Sequence, residues 1–180
     1  MVKRLILLLL LFSVLAWPAA AQDFSTLDVA FGYGNYGTEA LQGTDRVHGF
    51  AMHTSLNLAS WISFENFTGA YSLPSDITLV ANTFGAKLVA RDVVDGRLSP
   101  YVAGGFGIGY YTSNQTGGGV STASARYAFG IDFNLSGGMA LKFDVGGLAL
   151  GKGVVGGAFV TNGWRDAVNV TTGIVFNLGG

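Results

Sequence analysis

The stretch ARYAFGIDFNL, Ala125 to Leu135, alternates without a slip: Tyr127, Phe129, Ile131, Phe133 and Leu135 take one parity, Arg126, Ala128, Gly130, Asp132 and Asn134 the other. Successive side chains of a strand point to opposite faces, so this segment has one bulky apolar face and one that is small, polar or charged. Which face looks inward decides the fold.

The same period-2 alternation recurs along the chain, broken by Gly, Ser, Asn and Asp turn residues, and no segment sustains a 3.6-residue period. Strands are expected at 26–35, 46–57, 61–71, 79–91, 100–112, 124–135, 139–150 and 165–178. The bulky parity runs through Phe31, Tyr33, Phe50, Met52, Phe64, Phe84, Val102, Phe106, Leu141, Phe143, Val168 and Phe176. The other parity collects Asp28, His53, Glu65, Lys87, Arg126, Asp132, Lys142 and Asp144 among many Gly and Ala. Asn66 and Asn82 break the pattern by falling on the bulky side, which a bulge or a strand end would explain.

Ahead of the strands, Lys3 and Arg4 precede an apolar run from Leu5 to Trp17 and the small residues Ala19-Ala20-Ala21. That is the layout of a secretory signal peptide, residues 1–21, with an apolar run too short to span a bilayer. Residues 22–180 then form one domain. The whole chain has a formal net charge of −1 and no cysteine, so no basic surface invites nucleic acid and no disulfide stabilises the fold. Only 12% of residues are charged while 13% are aromatic, which leaves little to coat a water-facing surface. The 28 glycines show no collagen-like period.

Eight antiparallel strands close either as a soluble calyx, apolar face inward, or as a membrane barrel, apolar face to lipid. In the calyx the second parity faces water and should be rich in Lys, Glu and Thr; here it is mostly small. Small residues suit the narrow lumen of an eight-stranded barrel, and a bulky, uncharged parity suits hydrocarbon. Tyr33, Tyr36, Tyr71, Tyr110, Tyr111 and Trp164 toward one end, and Trp61, Tyr101 and Phe176 toward the other, read as two interfacial girdles. Connections alternate too. Leu58-Ala59-Ser60 and Ser136-Gly137-Gly138 are tight, whereas Asn35 to Asp45, Ser113 to Thr122 and Gly151 to Trp164 are long, matching periplasmic turns and external loops. The expected fold is therefore all-β: an eight-stranded antiparallel up-and-down transmembrane β-barrel following the signal peptide.

SPYVAGGFGIGYY (Ser99 to Tyr111) and NLASWISFENFTGAYS (Asn57 to Ser72) resemble the start of strand five and the second hairpin of bacterial outer-membrane barrels of the OmpA/OmpX-like family. The resemblance covers residues 22–180 and implies the outer membrane of a Gram-negative envelope. It also implies outer-membrane lipid and lipopolysaccharide as surroundings, and the barrel-assembly machinery as a partner during insertion. Thr171 to Leu178 is similar to the insertion signal that this machinery reads, although Gly179 and Gly180 follow where many members end on an aromatic residue. A peptidoglycan-binding domain of the full-length OmpA kind is not expected.

Pairing across a three-residue Ser136 to Gly138 loop sets Asp132 opposite Lys142, with Asp144 beside it. The same logic around Leu58 to Ser60 sets His53 opposite Glu65 and Ser55 opposite Ser63. His53 and Ser55 have the H-x-S spacing of PagL-type lipid A deacylases, but the resemblance stops there, and the pair sits near a periplasmic turn facing the lumen. His53, Glu65, Lys87, Arg126, Asp132, Lys142 and Asp144 are expected to form a structural polar network in the lumen, since unpaired charges in a low-dielectric interior are costly. With two histidines and scattered carboxylates, no metal-ligand spacing recurs, and neither metal nor cofactor is expected. The glycine run from Thr116 to Val120 lies in a loop, not between strand and helix, so it does not suggest a phosphate cradle.

The function expected is that of a monomeric integral outer-membrane protein with no catalytic residues, which supports the membrane or meets a surface ligand through its loops. A narrow porin-like channel for ions or small solutes is the alternative, and a lipid A-modifying enzyme the third reading.

Overall fold

The computed structural model describes residues 24–37, 46–73, 76–91, 93–113, 118–135, 138–151, 153–155, 158–161 and 165–179. The expected signal peptide and Trp164 lie outside them.

Ten strands follow in order: β1 Leu27–Gly37, β2 Arg46–Ala59, β3 Ile62–Leu73, β4 Ile77–Val89, β5 Leu98–Ser113, β6 Gly119–Asn134, β7 Met139–Leu150, β8 Gly153–Val155, β9 Ala158–Thr161 and β10 Arg165–Leu178. Eight of them close an antiparallel barrel in the order β1-β10-β7-β6-β5-β4-β3-β2, while β8 and β9 pair separately. Closure leaves no sheet edge, so every barrel strand has a neighbour on both sides for its backbone N–H and C=O groups, as a chain in hydrocarbon requires. Both barrel ends meet on the turn side, where Leu27 pairs with Leu178 and the Thr26 side chain donates to the Gly179 carbonyl.

The opening stretch resolves as the alternation requires. Arg126, Ala128 and Asp132 are buried inside, whereas Phe129 is 60% exposed and Tyr127, Phe133 and Leu135 also face out. Outward aromatic rings pair between strands, Phe64 with Phe84 at 6.2 Å and Phe133 with Phe143 at 5.8 Å. The membrane barrel, rather than the calyx, accounts for this surface.

Several expectations need correction. The strands run further toward the loops than the alternation suggested, with β1 reaching Gly37 and β6 starting at Gly119, because Gly and Ser at their ends hide the pattern. The long last connection contains β8 and β9. Tyr36, Tyr71, Tyr111 and Tyr101 are not girdle residues: all four are buried in the lumen, leaving Tyr33, Tyr110, Trp61 and Phe176 outside. Parity places them there, since Tyr101 and Tyr111 alternate with outward Val102 and Tyr110. The inward parity is also not small throughout. On the loop side it forms an apolar cluster that includes Tyr36, Val47, Tyr71, Leu73, Leu79, Tyr111, Leu148 and Leu150.

Such bulk fits where inward glycines make room. The Tyr101 ring lies over Gly130 and the Tyr71 ring over Gly69, and a Cβ at either glycine would collide with the ring. Laying an aromatic ring over a strand glycine restores the packing that the glycine lacks.

Candidate functional site

Below the apolar storey, on the turn side, the lumen holds a transverse belt of charges. Asp132 on β6 faces Lys142 on β7 in register, as expected, and its Oδ1 lies 3.0 Å from Lys142 Nζ. Its Oδ2 meets Lys87 Nζ of β4 at 2.9 Å, so one carboxylate bridges two lysines. Arg126 does the converse. Its Nη1 reaches Glu65 Oε1 of β3 at 2.9 Å and its Nη2 reaches Asp144 Oδ2 of β7 at 2.8 Å. The side chains of this belt are all nearly inaccessible to solvent. Three carboxylates thus face two lysines and an arginine, and with these six charged the belt is neutral when His53 is neutral.

Tyr101 is the residue that ties the two halves together. Its hydroxyl donates to Asp144 Oδ2 at 3.0 Å and accepts from Lys142 Nζ at 2.9 Å. Lys87 and Lys142 sit 4.2 and 4.1 Å from the centroid of its ring, and Arg126 sits 4.3 Å from that of Phe67. Aromatic faces attract cations most where water is excluded, so these rings serve as extra counter-groups in a crowded interior. At the turn-side mouth, Asn57 Nδ2 donates to Asp28 Oδ2 at 2.9 Å and Arg91 Nη2 donates to Asn57 Oδ1 at 2.8 Å.

The register expected for the second hairpin is corrected by two residues. Glu65 pairs with Ser55, Ser63 with Asn57, and His53 with Phe67. The cause is the turn: β2 continues to Ala59, the chain reverses at Ser60 and Trp61, and a register shift between Asn57 and Ala59 absorbs the extra residue. His53 and Glu65 still approach on the diagonal, Nδ1 to Oε2 at 3.7 Å.

All seven residues expected in the lumen network are therefore brought together. Tyr101, Phe67 and Thr171 were missed, although parity within β3, β5 and β10 marks each as inward. Among the described residues no hydrogen bond joins the hydroxyl of the H-x-S pair to its imidazole. Ser55 donates to Glu65 at 3.5 Å, while His53 Nε2 faces Thr171 Oγ1 at 3.4 Å and Asp144 Oδ2 at 3.8 Å. General-base activation needs the hydroxyl within hydrogen-bond reach of the imidazole.

No family model and no curated protein matches the chain. Solved structures do. Neisserial surface protein A superposes with a TM-score of 0.69 at 10% identity, covering 87% of this chain and all of that one. The attachment invasion locus protein Ail of Yersinia pestis gives 0.55 at 13% identity, over 85% of this chain and 98% of that one. OprG of Pseudomonas aeruginosa, an outer membrane protein, gives 0.54 at 11% identity, over 88% and 98%. At such identities the likeness establishes architecture, and it agrees with the lipid-compatible outer face. The chain is an eight-stranded antiparallel β-barrel of the bacterial outer-membrane type, with the fold of the OmpA/OmpX-like barrels.

Proposed function

We propose that this protein is a non-conducting, non-enzymatic barrel that holds interaction loops at the cell surface. The observation that carries the reading is the closure of the lumen at two levels. Tyr71, Leu79, Tyr111, Leu148 and Leu150, each at most 1% exposed, fill the loop-side half, and the ion-paired belt fills the turn-side half. A solute path would need both to rearrange. A rigid, filled barrel is a scaffold, and specificity on such scaffolds resides in the loops.

The connections 38–45, 114–118 and 151–164 would carry it. Ail, which shares the fold, has been solved in complex with the heparin analogue sucrose octasulfate, and this supports a surface ligand as a role compatible with such a barrel. Outer-membrane lipid and lipopolysaccharide surround the barrel in this reading, and the assembly machinery inserts it. Planar-bilayer recording of the refolded residues 22–180 tests the proposal. Silence is expected, and reproducible conductance steps would replace it with the channel reading. Lipid A mass spectra from cells with and without the gene should be identical; a lost acyl chain would replace it with an enzyme.

A further inference from the structure

The outward face of β3 and β4 carries a polar group where a membrane barrel should be apolar. Thr68 pairs with Asn82 and Asn66 with Phe84, in a register that runs unbroken between these two strands. No bulge turns Asn66 or Asn82 inward, contrary to one expectation from the sequence. Both are partly exposed on the same outer surface as Phe64 and Phe84. At about 3.3 Å per residue and a tilt near 40°, Asn66 and Thr68 stand about 10 and 15 Å above Ile62. Trp61, 60% exposed, marks the turn-side interface just below, so the group lies near the middle of an apolar band about 25 Å tall.

Hydrogen bonding within the group is incomplete. Asn82 Nδ2 donates to Thr68 Oγ1 at 2.7 Å and Asn66 Nδ2 donates to the Thr83 carbonyl at 3.2 Å, while Thr68 Oγ1 reaches Asn66 Oδ1 only at 3.5 Å. Asn82 Oδ1 and the second N–H of each amide have no partner among the described residues. Acyl chains offer neither donor nor acceptor at that depth, and an unsatisfied amide in hydrocarbon is costly.

We propose that two copies of this chain pair through this face, with Asn66, Thr68 and Asn82 at the seam. An amide carries both a donor and an acceptor, so the same patch related by a two-fold axis satisfies itself reciprocally, which is the defining property of an isologous interface. Hydrogen bonds between polar side chains are, with close packing, among the forces that hold membrane segments together, because the hydrophobic effect does not act between surfaces already in lipid. The sequence alone carried the expectation of a monomer, and the proposal departs from it.

The chain has no cysteine, so single replacements report directly. Ala70→Cys and Ala86→Cys flank the patch and leave it intact, and Val145→Cys on the outer face of β7 is the control. Refolded into phosphatidylcholine vesicles at increasing lipid dilution and oxidised, at least one of the two flanking variants should form disulfide dimer at least fivefold above the control. Adding Asn66→Leu, Thr68→Val and Asn82→Leu should weaken dimerisation about tenfold, while unboiled samples retain the mobility of the folded barrel. Cross-linking of both flanking variants no greater than at Val145, or unchanged when the three polar side chains are removed from a folded barrel, would overturn the proposal. Should the triple variant fail to fold, Asn82→Leu alone applies the same test.

Discussion

Arg126 is the one Lys or Arg among the described residues that contacts two buried carboxylates, and replacing it with Met tests how the lumen is held. The substitution removes bonds of 2.9 Å to Glu65 and 2.8 Å to Asp144, and leaves these two buried carboxylates with only the His53 imidazole, 3.7 and 3.8 Å away, in place of a guanidinium. Breaking a buried pair by deleting one partner costs about 3–5 kcal/mol, and loss of the Phe67 contact adds about 1 kcal/mol. Lys142→Met is the internal comparison. Asp132 keeps Lys87 at 2.9 Å, so this change should cost about 2 kcal/mol less than Arg126→Met. Adding Glu65→Gln and Asp144→Asn to Arg126→Met removes the orphaned charges and should recover most of the loss, because a neutral interior of similar volume is nearly as stable as an ion-paired one. Urea unfolding in lipid vesicles, followed by tryptophan fluorescence and by the folded band on unboiled gels, reads all of these. A loss below about 1 kcal/mol for Arg126→Met, or a triple variant no more stable than the single one, would refute the reasoning.

Phe129→Arg places a charge on the lipid face and should cost about 2–4 kcal/mol, seen as a fall in refolding yield. Ala128→Ser, one residue away and inside the lumen, should refold normally; equal yields would contradict the assignment of faces. Gly130→Ala should destabilise the barrel by about 1–3 kcal/mol because its methyl meets the Tyr101 ring. The same change in a Tyr101→Ala background should be nearly neutral, and a double-mutant cycle without coupling would remove Tyr101 from its place over Gly130.

Much of the barrel was legible because its signal is the side-chain period itself. Tyr127 to Leu135 outward and Arg126 and Asp132 inward follow from that alternation alone, and a three-residue loop then sufficed to pair Asp132 with Lys142. The second hairpin was not legible in the same way. The reversal at Ser60 and Trp61 and the register shift between Asn57 and Ala59 together leave no mark on parity, yet they move Glu65 from His53 to Ser55. Tyr101 and Tyr111 were misread because an aromatic residue near a strand end fits two roles, an interfacial anchor or a lumen filler, and only strict parity separates them. The apolar storey around Leu79 and Leu148 is invisible to a rule that expects a polar lumen: where both faces of a strand end are apolar, alternation fades. Asn66 and Asn82 were noticed as exceptions, but the explanation by a bulge failed because the register there is regular.

The central claim is that the bulky parity faces lipid. Spin labels placed one at a time at residues 126 to 133, in a chain with no cysteine of its own, measure it directly when the barrel is refolded in vesicles. Collision with oxygen, which dissolves in the bilayer, should rise at Tyr127, Phe129, Ile131 and Phe133 and fall at Arg126, Ala128, Gly130 and Asp132, with a period of two residues. The opposite phase, or high accessibility of the bulky positions to a water-soluble relaxation agent, would contradict the account.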